Sequence, residues 1–398
     1  MKSYNTNRWL FVLGVLPVAF GFYSARVLAA PADDLSPTIA MEMKTNTFIR
    51  SDTTELPREP RYWITPEYVH YWQNTTTRLP QLLSIANGAD TAPLANFYGN
   101  QGITWDDGNG VKLTAGTWID NEERYGIELC GLYIPDQHQS VAFNPLPGDV
   151  DAFFTDNHLG HAPFISENGF PGDPASNTSF QYSTEQYGGE LNGLAHFVDW
   201  RPEAGLRIEE SALLGFRYFG LKDNFSSAYN EPTFGFFYND YFKTINNFYG
   251  ANLGGHVRVE YQRFFTEITP KIALGVTDEE VDISGSNTVA FVPGPNGFYA
   301  SGNKVGNHSL SNFACLPEIT VKAGYDFNDT VEAFVGYDAL YLSAVARVEN
   351  QISTQLDGQQ MAGFSYVPGG PADGSPPFKV MTSSLFEQGV TTGITLKF

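Results

Sequence analysis

Long apolar runs are almost missing from this 398-residue chain. The only extended one, WLFVLGVLPVAFGF from Trp9 to Phe22, falls short of the roughly 20 apolar residues that a membrane-spanning helix needs. A helical membrane protein is thereby excluded, and a chain of this kind enters a membrane only as a closed β-barrel. Cysteine is equally scarce. Cys130 and Cys315 stand far apart inside expected strands, read as small buried hydrophobes, and form a disulfide only if those strands meet. Basic residues are outnumbered, 23 Lys and Arg against 44 Asp and Glu, for a net charge of -21. That balance excludes nucleic acid as a partner and disfavours anionic head groups. No G-x-S-x-G or other nucleophile signature is present, and no cysteine stands where a lipoprotein would need one.

What is present is aromatic residues at 15% and 39 glycines, a mixture suited to pleated strands and tight turns. Lys2 and Arg8, the short apolar run and the small residues near Ala29 make up a secretory signal peptide. The expected division is 1–29 signal peptide, 30–59 periplasmic N-terminal extension and 60–398 barrel. From residue 60 onward, segments of about ten residues alternate between apolar and polar positions, the pattern of barrel strands. They lie at 61–72, 110–119, 125–134, 185–198, 206–221, 248–259, 264–276, 318–327 and 331–345, with a last one from Phe386. The fold class expected is all-β, an antiparallel transmembrane barrel of ten strands, with eight to twelve allowed.

The connections carry the argument further. Short ones, at 120–124, 199–205, 260–263 and 328–330, alternate with long ones at 73–109, 135–184, 222–247, 277–317 and 346–385. Such one-sidedness belongs to a barrel with short periplasmic turns and long extracellular loops. The polar row decides which face looks inward. Glu67, Lys112, Glu128, Glu190, Arg217, Arg258, Glu267, Lys271, Lys322, Asp326, Glu332 and Asp338 mix both signs at strand positions, so a lumen must take them and lipid the apolar row. Tyr71, Trp72, Tyr133 and Tyr341 are expected in interfacial girdles. The ending, GVTTGITLKF, sets Val390, Ile394, Leu396 and Phe398 on one parity and Gly393, Thr395 and Lys397 on the other. It reads as the closing strand, paired with 61–72, with Phe398 as the signal for the barrel-assembly machinery.

These segments resemble the BBP7 family of outer membrane β-barrel proteins, which is common in Planctomycetes. The stretches that carry the resemblance are WITPEYVHYW, GVKLTAGTWIDNEERYGIE, LLGFRYFGLKDNF, FYGANLGGHVRVEYQR, KIALGVTDEEVDISGS and LPEITVKAGYDFNDTVEAFVGYDALYLS. The resemblance implies a bacterial outer membrane barrel, in a Gram-negative cell, and brings no catalytic residues with it.

Other chemistry is thin. Asp156, His158 and His161, with His138 upstream, offer fewer fixed ligands than a metal site uses. DDGNG (106–110) lacks the remaining positions of a calcium loop and reads as a turn into the second strand. Barrels near eight strands are filled by their own side chains, and an open aqueous channel takes about sixteen. The expected function is therefore structural or narrowly pore-forming and porin-like, with no catalysis, no cofactor and no metal, and with outer membrane lipid and the assembly machinery as partners. The alternatives are a surface hydrolase of the omptin or lipase type, or an adhesin acting through its long loops.

Overall fold

A computed structural model describes residues 61–398 apart from 75–77, 86–94, 102–107, 145–149, 157–161, 167–176, 204, 234 and 357–376. The expected signal peptide and extension lie outside the described residues. Ten long strands form the wall: β1 (Tyr62–Asn74), β2 (Gly108–Trp118), β3 (Tyr125–Phe143), β4 (Asn177–Glu203), β5 (Leu206–Glu231), β6 (Phe236–Tyr261), β7 (Phe264–Val289), β8 (Gly306–Asn328), β9 (Val331–Ala346) and β10 (Thr382–Lys397). Each pairs antiparallel with its neighbours in the order β6-β5-β4-β3-β2-β1-β10-β9-β8-β7, and β7 pairs back onto β6, so the sheet has no free end. Val292–Pro295 folds back on β7 as a spur.

The closing seam is the one the sequence predicts. Trp63 to Asn74 of β1 run opposite Lys397 to Phe386 of β10. Phe398 N and O exchange 2.9 Å hydrogen bonds with Tyr62 O and N, and the two rings stack at 6.1 Å.

Alternation places the apolar row outside. Leu113, Leu129, Leu191, Leu214, Phe216, Ile272, Val335 and Ile394 are all exposed on the outer wall, a belt that only hydrocarbon can cover without penalty. Aromatics edge it at the turn end, with Tyr125, Trp200, Tyr261, Phe264 and Phe398 exposed. At the loop end Tyr187, Tyr218 and Tyr249 run side by side across three strands, their rings 6.0 and 5.1 Å apart. Inward-facing aromatics cover wall glycines: a Cβ at Gly116 would lie 2.0 Å from the Trp63 ring, and one at Gly324 2.3 Å from Phe265. Only glycine lets those rings lie flat on the backbone.

The long connections differ from expectation. Segment 222–247 is not a loop, since β5 and β6 run on to Glu231 and from Phe236. β7 likewise continues to Val289, β8 starts at Gly306, β3 runs on to Phe143 and β4 already starts at Asn177. Alternation continues past the apolar belt, but with serine, asparagine and charged residues outside, so a search for apolar rows loses the strands there. The extended wall encloses a second core: Phe180, Tyr182, Phe225, Phe242, Val281, Ile283 and Tyr299 pack against Leu82, Leu83, Val150 and Leu356. The latter group comes from a small sheet of Gln81–Ile85, Ala95–Gly99, Val150–Asp156, Ala162–Ser166 and Gln355–Leu356.

The two cysteines are free. They sit on strands five places apart in the ring of ten, Cys130 facing the lumen and Cys315 the outer wall, which rules out a bridge between them.

Candidate functional site

The lumen is where this sequence concentrates its buried charge, and three layers fill it. At the turn end Arg258 of β6 is the hub. Its Nη2 lies 2.9 Å from Glu332 Oε2 on β9 and 3.2 Å from Asp326 Oδ1 on β8. Glu267 and Glu260 flank the same guanidinium at 3.6 and 2.5 Å, and its Cζ sits 3.8 Å above the Phe265 ring. Lys397 adds a second cation to Glu332 at 2.8 Å, and His256 stands 3.6 Å from Glu267.

The middle layer is denser. Lys271 Nζ of β7 lies 2.9 Å from Glu190 Oε1 on β4 and 3.0 Å from Glu318 Oε1 on β8. Arg217 of β5 bonds Glu318 as well and approaches Glu190 at 3.5 Å. Asn252 Nδ2 donates to both Glu190 and Asn192, each at 3.0 Å. Beside this quartet Lys322 reaches Glu67 at 3.1 Å and rests 4.2 Å over the Phe334 ring. Lys112 lies 3.7 Å from Asp338, which also accepts the Tyr71 hydroxyl at 2.7 Å. Glu128 faces inward from β3 toward the charges of Lys271 and His256.

A cavity of about 30 Å³ remains between Tyr71, Lys112, Glu190, Arg217, Glu318 and Asp338, room for about two waters. Glu67 Oε2 and Asp338 Oδ1 are buried in this layer without a protein hydrogen bond, and water is what satisfies such atoms.

Above the ions the lumen turns apolar. Phe219, Leu221, Phe248, Leu316, Leu340, Leu342 and Leu385 pack across it. On top lies Arg347, 2% exposed, with Nε 2.7 Å from Asp223 Oδ2 and Nη2 3.2 Å from Gln73 Oε1. The chain after β9 is held inward there, because Asn246 bonds both Ala346 N and Ala346 O, and Gln351 bonds both Met381 N and Met381 O. Gln186 donates to Glu387 at 2.6 Å in the same region.

All twelve charged residues singled out from the sequence lie on inward positions of the wall, and eleven of them take part in the ion pairs above; Glu128 stands apart. Tyr71, expected in a girdle, instead faces the lumen and is 8% exposed. Its parity with Glu67 and Val69 carried that signal. Glu318 and Glu387 join the inward charges, sharing parity with Lys322 and Thr391, whereas Arg347 and Asp223 lie past the expected strand ends. His158 and His161 lie outside the described residues, and His138 is exposed beside Asp136 at 3.4 Å. Among the described residues no group of three His, Cys, Asp or Glu side chains is arranged to hold a metal ion.

A closed ring of ten antiparallel strands, lipid-facing outside and charged within, defines an outer membrane β-barrel protein. Residues 63–398 match the model of the family described as "Putative beta barrel porin-7 (BBP7)", and the chain belongs to that family. Among solved structures it is similar to the outer membrane protease OmpT from Escherichia coli, at 10% identity over 87% of this chain and 99% of that one, with a TM-score of 0.42. It is also similar to the P. putida toluene transporter TodX, at 9% identity over 86% and 91%, TM-score 0.20. A Pseudomonas aeruginosa FadL homologue matches at 6% identity over 85% and 91%, TM-score 0.20. No curated protein matches the sequence.

Proposed function

We propose that this chain is a closed, structural barrel: its lumen carries no solute and no reaction, and its loop end faces outward as a stable platform on the cell surface. The observation that carries the reading is a set of five bridges that cross the lumen. Arg217 on β5 reaches β8, Lys271 on β7 reaches β4, Lys322 on β8 reaches β1, Lys112 on β2 reaches β9 and Arg258 on β6 reaches β9. Each of these skips two intervening strands of the ring. Side chains tied wall to wall leave no continuous water path, and the apolar layer above them supplies a second barrier.

The barrel can do little chemistry in this state, because most of its lumen carboxylates are buried against cations rather than presented to a substrate. The net charge they leave is handled by pairing, the usual condition for charge inside a low-dielectric interior.

The native thiol of Cys130 tests this. It lines the residual cavity and is 7% exposed. In a Cys315→Ala chain folded in lipid vesicles, a charged, membrane-impermeant maleimide is expected to leave Cys130 unlabelled until the protein is denatured. Labelling at the rate of an exposed thiol would mean a water-filled lumen and would overturn the proposal.

A further inference from the structure

The wall beyond the lipid belt carries a feature that a closed barrel does not need. On the outer face of β4 to β7 two side-chain rows run straight across four strands. One row is Ser179, Ala228, Asn239 and Ser286, and the next is Gln181, Ser226, Tyr241 and Ser284. With Ser227, Asp240 and Gly285 between them they line a groove of about 420 Å³, the buried Asp240 carboxylate being turned to the Ser227 hydroxyl and the Ala300 amide. Neither row holds a charged side chain on this face, in a protein whose net charge is -21. The rows immediately below do turn charged, with Lys243 beside Asp282 and then Lys222 near Glu185 and Glu280.

The groove has a fixed edge. Tyr241 Oη donates to Asn224 Oδ1 at 3.0 Å, and Asn224 Nδ2 donates to Ser183 Oγ at 3.0 Å. This relay, in the row next to the groove, holds the Tyr241 ring, 38% exposed, at the groove's edge. A held aromatic ring offers a flat apolar face, while serine, asparagine and glutamine around it both donate and accept hydrogen bonds. That pairing of chemistries fits a neutral sugar, which has an apolar C–H face and hydroxyls around its rim. It fits neither an anion, for want of a cation in the groove, nor an apolar peptide, for want of a hydrophobic pocket.

Position selects the source of the sugar. Tyr241 stands eight residues along β6 from Tyr249 (249 − 241), which is about 26 Å of strand at about 3.3 Å per residue. The groove also faces sideways over the lipid annulus rather than up into solution. We infer that it binds the neutral polysaccharide that rises from lipid anchors in the outer leaflet around the barrel.

The test uses the full-length protein in detergent micelles and, as probe, the polysaccharide of the cell's own outer leaflet freed of its lipid by mild acid. Wild type is expected to bind it, and Tyr241→Ala and Ser226→Trp, one removing the ring and one filling the groove, each to weaken binding at least tenfold. Both side chains point away from the cores, and the shift of the folded band on unheated gels reports whether each variant is still a barrel. Wild type failing to bind, or both variants binding as wild type does, would overturn the inference. A soluble neutral glucan such as dextran binding more tightly than the cell's own polysaccharide would overturn the assigned source. None of these outcomes depends on whether the lumen conducts, so the inference and the closed-barrel proposal fail separately.

Discussion

Replacing Arg217 with methionine removes the cation that Glu318 holds and Glu190 approaches, while keeping much of the side chain's volume. Lys271 is then left alone between the two carboxylates, at 2.9 Å from one and 3.0 Å from the other. A single ammonium cannot compensate two buried negative charges, and removing one partner of a buried pair costs about 3–5 kcal/mol. The expected loss is of that size, because Arg217, Glu190 and Glu318 are 4%, 8% and 9% exposed and the bulk solvent that would screen the orphaned charge is absent. A second substitution sharpens the test. Glu318→Gln in the Arg217→Met chain discards the excess negative charge, so it should recover about half of the loss even though it deletes a further native contact. Reversible urea unfolding from lipid vesicles, followed by tryptophan fluorescence, measures both. A loss below about 1 kcal/mol for Arg217→Met, or a double variant weaker than the single one, would refute the view that these bridges hold the lumen shut.

The remaining predictions address the seam, the glycines and the outer core. Deleting Phe398 removes two backbone hydrogen bonds and the ring stack at the β1–β10 seam, and should cut the yield of folded barrel in membranes while the exported pool stays constant by immunoblot. Gly324→Ala forces a methyl group into the Phe265 ring and the Ala333 carbonyl; a loss of about 1–3 kcal/mol is expected from such overpacking, read in the same urea assay. Asp240 lies well beyond the lipid belt, accepting from Ser227 and from the Ala300 amide, and its burial raises its carboxyl pKa. The folded chain thus holds that proton more tightly than the unfolded one, so its contribution is present at pH below the unfolded carboxylate value and is lost as pH rises through the folded one. Asp240→Asn should flatten that part of the stability profile against pH, and an unchanged slope would count against the assignment.

Much of the barrel could be read from the chain because alternation with a period of two is a direct imprint of a wall with lipid on one side. Leu214 and Phe216 against Arg217, or Ile394 against Thr395, allow one assignment of faces. The ten strands and the closing pair follow from that and from the short turns. The strand extensions did not follow, because Ser226, Asn239 and Ser284 alternate with Phe225, Asp240 and Ile283 on a wall with water outside, where the outer row is polar and looks like loop. The ion pairs were legible as a set of inward charges but not as pairs, since Arg217 and Glu318 are 101 residues apart and nothing local joins them. An aromatic near a strand end matches the girdle rule, so Tyr71 is expected on the outer face, whereas its parity with Glu67 places it inside. The inward turn at Arg347 has no sequence pattern of its own, being fixed by Asn246 on β6, 100 residues before Ala346, and by the bonds of Gln351 to Met381.

Planar-bilayer recording of the purified wild-type protein bears most directly on the closed lumen. The ion bridges and apolar layer predict a silent membrane at every applied voltage, with protein insertion verified independently by protection of the barrel from added protease. Discrete, reproducible conductance steps from the wild-type chain would contradict the account.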